Sequence, residues 1–142
     1  MKKSMILMLV FVLTMSVSAW ADNDRVITFN QLPPTAQALL NEHFGDKTPL
    51  IVTTDSDDYT VRYKTGEKVE FDKKGNWREI DCGMTQVPDV LIPQAIMANI
   101  SATFPDTGIV KIDRDRQGYD VKLSTGFELE FNRNFQLVDM DD

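Results

Sequence analysis

One pattern occurs twice in this chain, and it limits the folds available. The run from Tyr59 to Asp72 returns sixty residues later from Tyr119 to Asn132, with Tyr, Val, Thr-Gly, Glu and Phe in register. Other identities at the same offset include Pro33/Pro93, Ala38/Ala98, Phe44/Phe104, Asp55/Asp115 and Asp81/Asp141. They fall at helix caps, turns and alternating apolar positions, where folding demands particular residues. The spacing predicts a tandem duplication of one α-β4 unit, with two helices packed on one face of an antiparallel sheet, an α+β architecture.

Each repeated run reads as a β-hairpin. Tyr59, Val61 and Tyr63 alternate onto one strand face, and Val69 and Phe71 onto one face of the partner strand. A two-residue Thr-Gly loop would set Val61 against Glu70 and mix the faces. A three-residue loop, Lys64 to Gly66, sets Tyr59 against Phe71 and Val61 against Val69, with Gly66 in the left-handed position of a bulged turn. The same register sets Tyr119 against Phe131, Val121 against Leu129 and Leu123 against Phe127. The opposite face then carries Thr60, Arg62, Lys68 and Glu70, with Asp120, Lys122, Glu128 and Glu130 in the second half, a charged face suited to water.

Ahead of each hairpin lies a helix signal. Ala36, Leu40 and Phe44 fall on one helical face between Pro33 and Gly45, predicting a helix over 33–44. Ile96, Ile100 and Phe104 repeat the spacing after Pro93. Strands are expected at 48–54 and 77–81, and again at 109–113 and 137–141. Residues 22–82 then form the first repeat, with an extended N-terminal segment, and 83–142 the second.

The strand after each hairpin has two possible orientations. If Ile80 joins Val69 in the core through an even loop with Lys74-Gly75 at its tip, Trp77 opposes Asp72 and projects from the charged face. Leu137 projects at the equivalent place, with Val138 against Phe131 and Met140 against Leu129. A bulge would instead turn Trp77 inward. The outward reading makes Trp77 an anchor for a partner, since Trp and Arg dominate interface hot spots.

Lys2 and Lys3 precede an apolar run from Met5 to Leu13 and then Ala19-Trp20-Ala21. This is the order of a signal peptide, residues 1–21, cut after Ala21. The apolar run is shorter than the roughly 20 residues a bilayer span requires, so export without stable membrane insertion is expected. The formal net charge of −7 becomes more negative once those lysines leave. Nucleic acid and anionic membranes select basic patches, and this composition argues against both.

Catalytic chemistry finds little support. His43 is the only histidine and Cys82 the only cysteine, so neither a His-rich metal site nor an intrachain disulfide can form. Cys82 is expected to be a small residue at a strand end, with a disulfide between chains as the alternative. No cofactor motif and no metal ligand set is present. Asp113, Asp115, Gln117 and Gly118 resemble the start of a calcium loop, but Ser124 stands where its closing acidic ligand belongs. Asp55 to Asp58 is the equivalent turn, and both turns have ordinary Asp and Gly turn chemistry.

The repeated unit resembles the PepSY-like family of exported bacterial proteins, also described as β-lactamase-inhibitor-like. The resemblance is carried by the Leu-Pro helix opening, Tyr59 and Val61, Thr65-Gly66, Glu70 to Asp72, and Gly75 to Asp81, and covers about 26–142. Asn134 to Leu137 departs from it where Gly-Asn-Trp is expected. The resemblance implies the tandem α-β4 fold of the β-lactamase inhibitory protein, and related domains in peptidase propeptides imply a protein or peptide partner such as a secreted peptidase. The expectation is therefore an exported, non-enzymatic binding protein using the outer sheet face, with Trp77, Arg62, Lys68, Glu70, Lys122, Glu128 and Leu137 as partner-binding residues. The alternative is a small-ligand or calcium module using the acidic turns.

Overall fold

The computed structural model describes residues 24–142; the expected leader and its cleavage site lie outside them. Strand β1 (Arg25–Ile27) leads into helix α1 (Pro34–Phe44), followed by β2 (Pro49–Thr54), β3 (Asp58–Tyr63), β4 (Lys68–Asp72) and β5 (Trp77–Asp81). Helix α2 (Gln94–Thr103) then precedes β6 (Ile109–Arg114), β7 (Gly118–Leu123), β8 (Glu128–Asn132) and β9 (Leu137–Asp141). Short 3-10 turns, Phe29–Gln31 and Asp89–Leu91, lie just before the two helices. The nine strands form one sheet in chain order, and every neighbouring pair is antiparallel.

The order helix and four strands occurs twice, and β5 joins the two runs. It closes the first run against β4 and flanks the second, where Ile80 pairs with Ile112 on β6. At the free edge of the sheet β1 has the corresponding place, with Ile27 opposite Val52 on β2. Val52 and Ile112 are themselves sixty residues apart, so β1 does for the first run what β5 does for the second.

Proline opens both helices, at a position where its missing N–H breaks no helical bond. Ala36, Leu40 and Phe44 on α1 and Ile96 and Ile100 on α2 are buried in one cluster with Val61, Val69, Phe71, Ile80, Ile112, Val121, Leu129 and Phe131 from the strands. Each such large side chain contributes roughly 1.5–3 kcal/mol by leaving water. The core therefore occupies one face of the sheet and leaves the other open.

The hairpin register follows the sequence pattern. Tyr59 pairs with Phe71 and Val61 with Val69, while Tyr119 pairs with Phe131 and Val121 with Leu129. Gly66 has φ +106°, and its N–H donates to the Tyr63 carbonyl at 3.0 Å. A residue with a Cβ would be strained there, which explains glycine at this point of the loop.

The following strand takes the bulged alternative, with Trp77 inward, and corrects the even-loop expectation. Trp77 pairs with Phe71 rather than Asp72, because the register shifts by one residue opposite Glu70 and Phe71. Arg78 is the extra residue of this bulge. Asp72 explains where the turn closes: its Oδ1 accepts from the N–H groups of Lys74 and Asn76, each at 2.9 Å. Its own N–H donates to the Asn76 carbonyl at 2.8 Å. The indole therefore points toward the helices and is only 7% exposed. Burying so large an apolar surface outweighs an unbroken ladder. The second half shifts likewise. Leu137, not Val138, faces Phe131, although Met140 meets Leu129 as expected. Leu137 therefore lies on the helix side of edge strand β9, half exposed, and not on the charged face.

Candidate functional site

The face away from the helices carries the charge. Reading the register from strand to strand, Glu70 stands opposite Glu79, Glu79 opposite Asp113, Asp113 opposite Asp120, Asp120 opposite Glu130, and Glu130 opposite Asp139. Six carboxylates thus form one row across six adjacent strands, β4 to β9. Like charges directly opposite each other destabilise a sheet, so this row opposes folding.

The adjacent row is mixed. It runs Arg62, Lys68, Asp81, Lys111, Lys122, Glu128 and Asp141 by the same pairings. Its lysines neutralise the middle of the acidic row. Lys68 Nζ lies 2.5 Å from Glu79, and Lys111 Nζ lies 3.5 Å from Glu79 and 3.9 Å from Asp113. Toward β9 this compensation ends: Asp120, Glu130, Asp139, Glu128 and Asp141 have no ion pair within 4 Å among the described residues. That half of the face is also concave. A hollow of about 360 Å³ is lined by Lys111, Asp113, Asp120, Lys122, Glu128 and Glu130, with Asp139 and Asp141 at its β9 side.

The carboxyl groups respond to this crowding. Burial and the neighbouring Glu79 carboxylate push Asp113 up to about 7. Burial also raises Glu79, but Lys68 and Lys111 outweigh it and hold Glu79 below its usual value. Burial, then Asp115 and Glu128, raise Asp120. At the other end of the row, burial and Glu70 push Asp58 up to about 6. A carboxyl raised on folding favours the protonated folded state, so its contribution is present below the unfolded value near 4 and lost as pH rises through the folded value. The melting temperature is accordingly expected to fall between about pH 4 and pH 7, and Asp113→Asn to flatten that slope. Thermal melts across this range check it; an unchanged slope in Asp113→Asn would contradict the assignment.

Of the residues singled out in the sequence, Arg62, Lys68, Glu70, Lys122 and Glu128 lie on this face, whereas Trp77 and Leu137 do not. Glu79, Asp113 and Asp139 complete the acidic row and are not among the residues the sequence assigns to this face. Their signal was present only in part: alternation from Ile80 turns Glu79 outward, but the pairing of β5 with β6 brings it to Asp113.

Elsewhere the titratable groups have structural work. Asp55 Oδ1 accepts from the N–H groups of Asp57 and Asp58 at 2.7 and 2.8 Å, and Asp115 Oδ1 from those of Gln117 and Gly118 at 2.7 and 3.1 Å. These are turn-closing carboxylates. Among the described residues, no three His, Cys, Asp or Glu side chains are grouped to hold a metal ion. Cys82 is buried, and burial pushes its thiol up to about 11, with Glu67 and Asp81 adding to the shift. That favours the inert, packed reading over a disulfide between chains. His43 lies in the last turn of α1, 3.7 Å from Glu42.

The same fold is found in solved structures. A "putative periplasmic protein" from Bacteroides vulgatus is 40% identical, with a TM-score of 0.83 over 86% of this chain and 99% of its own. A "putative calcium-regulated periplasmic protein" from Bacteroides thetaiotaomicron is 42% identical, with a TM-score of 0.81 over 84% and 97%. A second Bacteroides vulgatus periplasmic protein, of unknown function, is 33% identical, with a TM-score of 0.79 over 84% and 99%. No curated protein matches significantly. No helix among the described residues is long and apolar enough to cross a membrane. The neighbours are described as periplasmic, and the chain is an exported protein like them. Residues 57–139 match the family described as "Putative beta-lactamase-inhibitor-like, PepSY-like", and with this match and these identities the chain belongs to the PepSY-like family.

Proposed function

We propose that this protein is a non-enzymatic binding protein of the cell envelope, and that its outer sheet face holds a basic segment of a protein or peptide partner. The observation that carries this reading is the carboxylate row. Six carboxylates set in register oppose folding, and at the β9 end no ion pair among the described residues offsets them. A cationic partner would offset them, and electrostatic complementarity of this kind favours one sign of partner and speeds encounter. The β-lactamase-inhibitor-like description of the family supports a protein partner; a secreted peptidase is the partner class suggested by the related propeptide domains. The recurrence of helix and four strands at a sixty-residue offset supports tandem duplication, with 22–82 and 83–142 as the repeats; the order of lysines, apolar run and Ala-Trp-Ala in residues 1–21 supports a cleaved signal peptide. Trp77 is buried and takes no part in this binding face.

Titration calorimetry with a lysine- and arginine-rich decapeptide, against its glutamate-rich counterpart, tests the proposal. Binding of the basic peptide alone, weakening steeply as salt rises, is the expected result. Equal binding of both peptides, or of neither, would reject it.

A second reading, a calcium module, draws on the description of one neighbour as calcium-regulated. The geometry favours it less. The acidic turns already use Asp55 and Asp115 to hold their own backbone, and the described residues offer no metal-ligand group. Calcium in the same calorimeter separates the two: heat from calcium with none from the basic peptide would favour the ion.

A further inference from the structure

The molecule also carries one basic site, remote in character from the acidic face. Three of the chain's six arginines, Arg78, Arg114 and Arg116, line an open hollow of about 450 Å³ with Asp115 and Gln117, where β6 turns into β7. Finding half the arginines of a net-negative chain in one place is the first observation.

The second is how Arg114 is held. Its Nε donates to the backbone carbonyl of Trp77 at 2.7 Å, and its guanidinium carbon lies 3.8 Å from the centre of the Trp77 ring. One hydrogen bond and one stacking contact fix the guanidinium plane, leaving its two terminal nitrogens as a preset pair of donors. Stacking on an indole stabilises the cation as well. Arg114 is half-buried, and although desolvation lowers its pKa it remains protonated.

The third is the lack of an internal partner. None of the three arginines has a carboxylate within 4 Å among the described residues. Asp115, the one acid in the lining, directs Oδ1 to the N–H groups of Gln117 and Gly118.

The first half does not repeat the arrangement. Thr54 stands in the place of Arg114 and accepts a hydrogen bond from Lys73 Nζ at 2.8 Å, and β1, which flanks β2 as β5 flanks β6, carries no tryptophan. The site exists once, where β5 meets β6.

We propose that Arg114, presented on the face of Trp77 and flanked by Arg78 and Arg116, is a binding fork for an oxyanion, a carboxylate or a phosphate. Planar guanidinium matches two oxygens of such a group at once, which a lysine cannot do. Trp77 then acts as the floor that orients the arginine, not as the group that meets the ligand. This site does not depend on the reading of the acidic row: it takes the opposite charge and lies at a turn end of the sheet.

The test follows the Arg114 Nε–H and Trp77 indole N–H signals by nuclear magnetic resonance in the chain as exported. The additions are inorganic phosphate, acetyl-Ala-Asp with a free carboxyl terminus, and the neutral acetyl-Ala-Asn-amide. Saturable shifts with phosphate, with the acidic dipeptide or with both support the fork, and the stronger of the two identifies a free anion or a peptide carboxylate as its ligand. Arg114→Lys, which keeps the charge but loses the fork, is expected to weaken binding about tenfold or more. The double variant Arg78→Ala/Arg116→Ala changes only surface groups and is expected to weaken binding while leaving the melt unchanged, so the test survives a misfolded Arg114→Lys. No shift with either anion at millimolar concentration, an equal response to the neutral peptide, or full affinity in the double variant would overturn the proposal.

Discussion

Trp77→Ala is expected to cost about 3–5 kcal/mol of folding stability, a large part of the 5–15 kcal/mol that domains of this kind possess. The indole is buried against Phe71 and beneath Arg114, so its removal leaves a cavity that the sheet, fixed by ladders on both sides of β5, cannot close. Arg114 also loses the surface on which it stacks. Chemical denaturation of the variant and the parent gives the difference directly. A surface indole would instead change stability by about 0.5 kcal/mol or less; a change that small would return Trp77 to the outer face and undo the bulge assignment. In the molecules that remain folded, binding of a basic peptide to the carboxylate row is expected to persist.

The second large effect is at Gly118, the first residue of β7. Its φ is +150°, and a Cβ built there would lie 2.0 Å from the Phe131 carbonyl oxygen and 2.9 Å from the Asn132 backbone. Neither contact can be relieved by a side-chain rotation, because both atoms belong to the backbone of β8. Gly118→Ala is therefore expected to cost roughly 2–3 kcal/mol through strain and a shifted strand pair. Gly66→Ala is the control. It also has positive φ, but a Cβ there meets nothing within 4 Å, so only the local backbone cost of about 1–2 kcal/mol applies. Equal losses in the two variants would show that the β7–β8 backbone is not as close as described.

What the sequence revealed and what it hid follow from how local the deciding interactions are. The hairpin loops were legible because three residues, ending in Gly66, must keep Tyr59 and Val61 on the same side as Phe71 and Val69. The helices were legible because a proline opens each and three apolar residues at fourfold spacing define a face. The β4–β5 turn was not legible by counting, since parity assumes an unbroken ladder. Closure of the turn by Asp72 and burial of the indole together introduce a bulge, and parity then assigns Trp77 to the wrong side. Leu137 was misplaced for the same reason. The acidic row was hidden by distance along the chain. Glu79 and Asp113 become neighbours only because β6 returns to β5 after helix α2. The guanidinium on Trp77 spans the same junction, and neither the outward nor the bulged placement of Trp77 points along the chain to Arg114 as its neighbour.

The central claim is that the carboxylate row between β6 and β9 attracts a basic partner. Calorimetry of the lysine- and arginine-rich decapeptide with the parent and with a variant carrying Asp120→Asn, Glu130→Gln and Asp139→Asn tests it most directly. These three groups lie on the open side of the sheet, and relieving like-charge pairs is expected to leave the variant at least as stable as the parent. The account predicts that the folded variant binds the peptide at least about tenfold more weakly and with a smaller salt dependence. Unchanged affinity and unchanged salt dependence in a stably folded variant would contradict it.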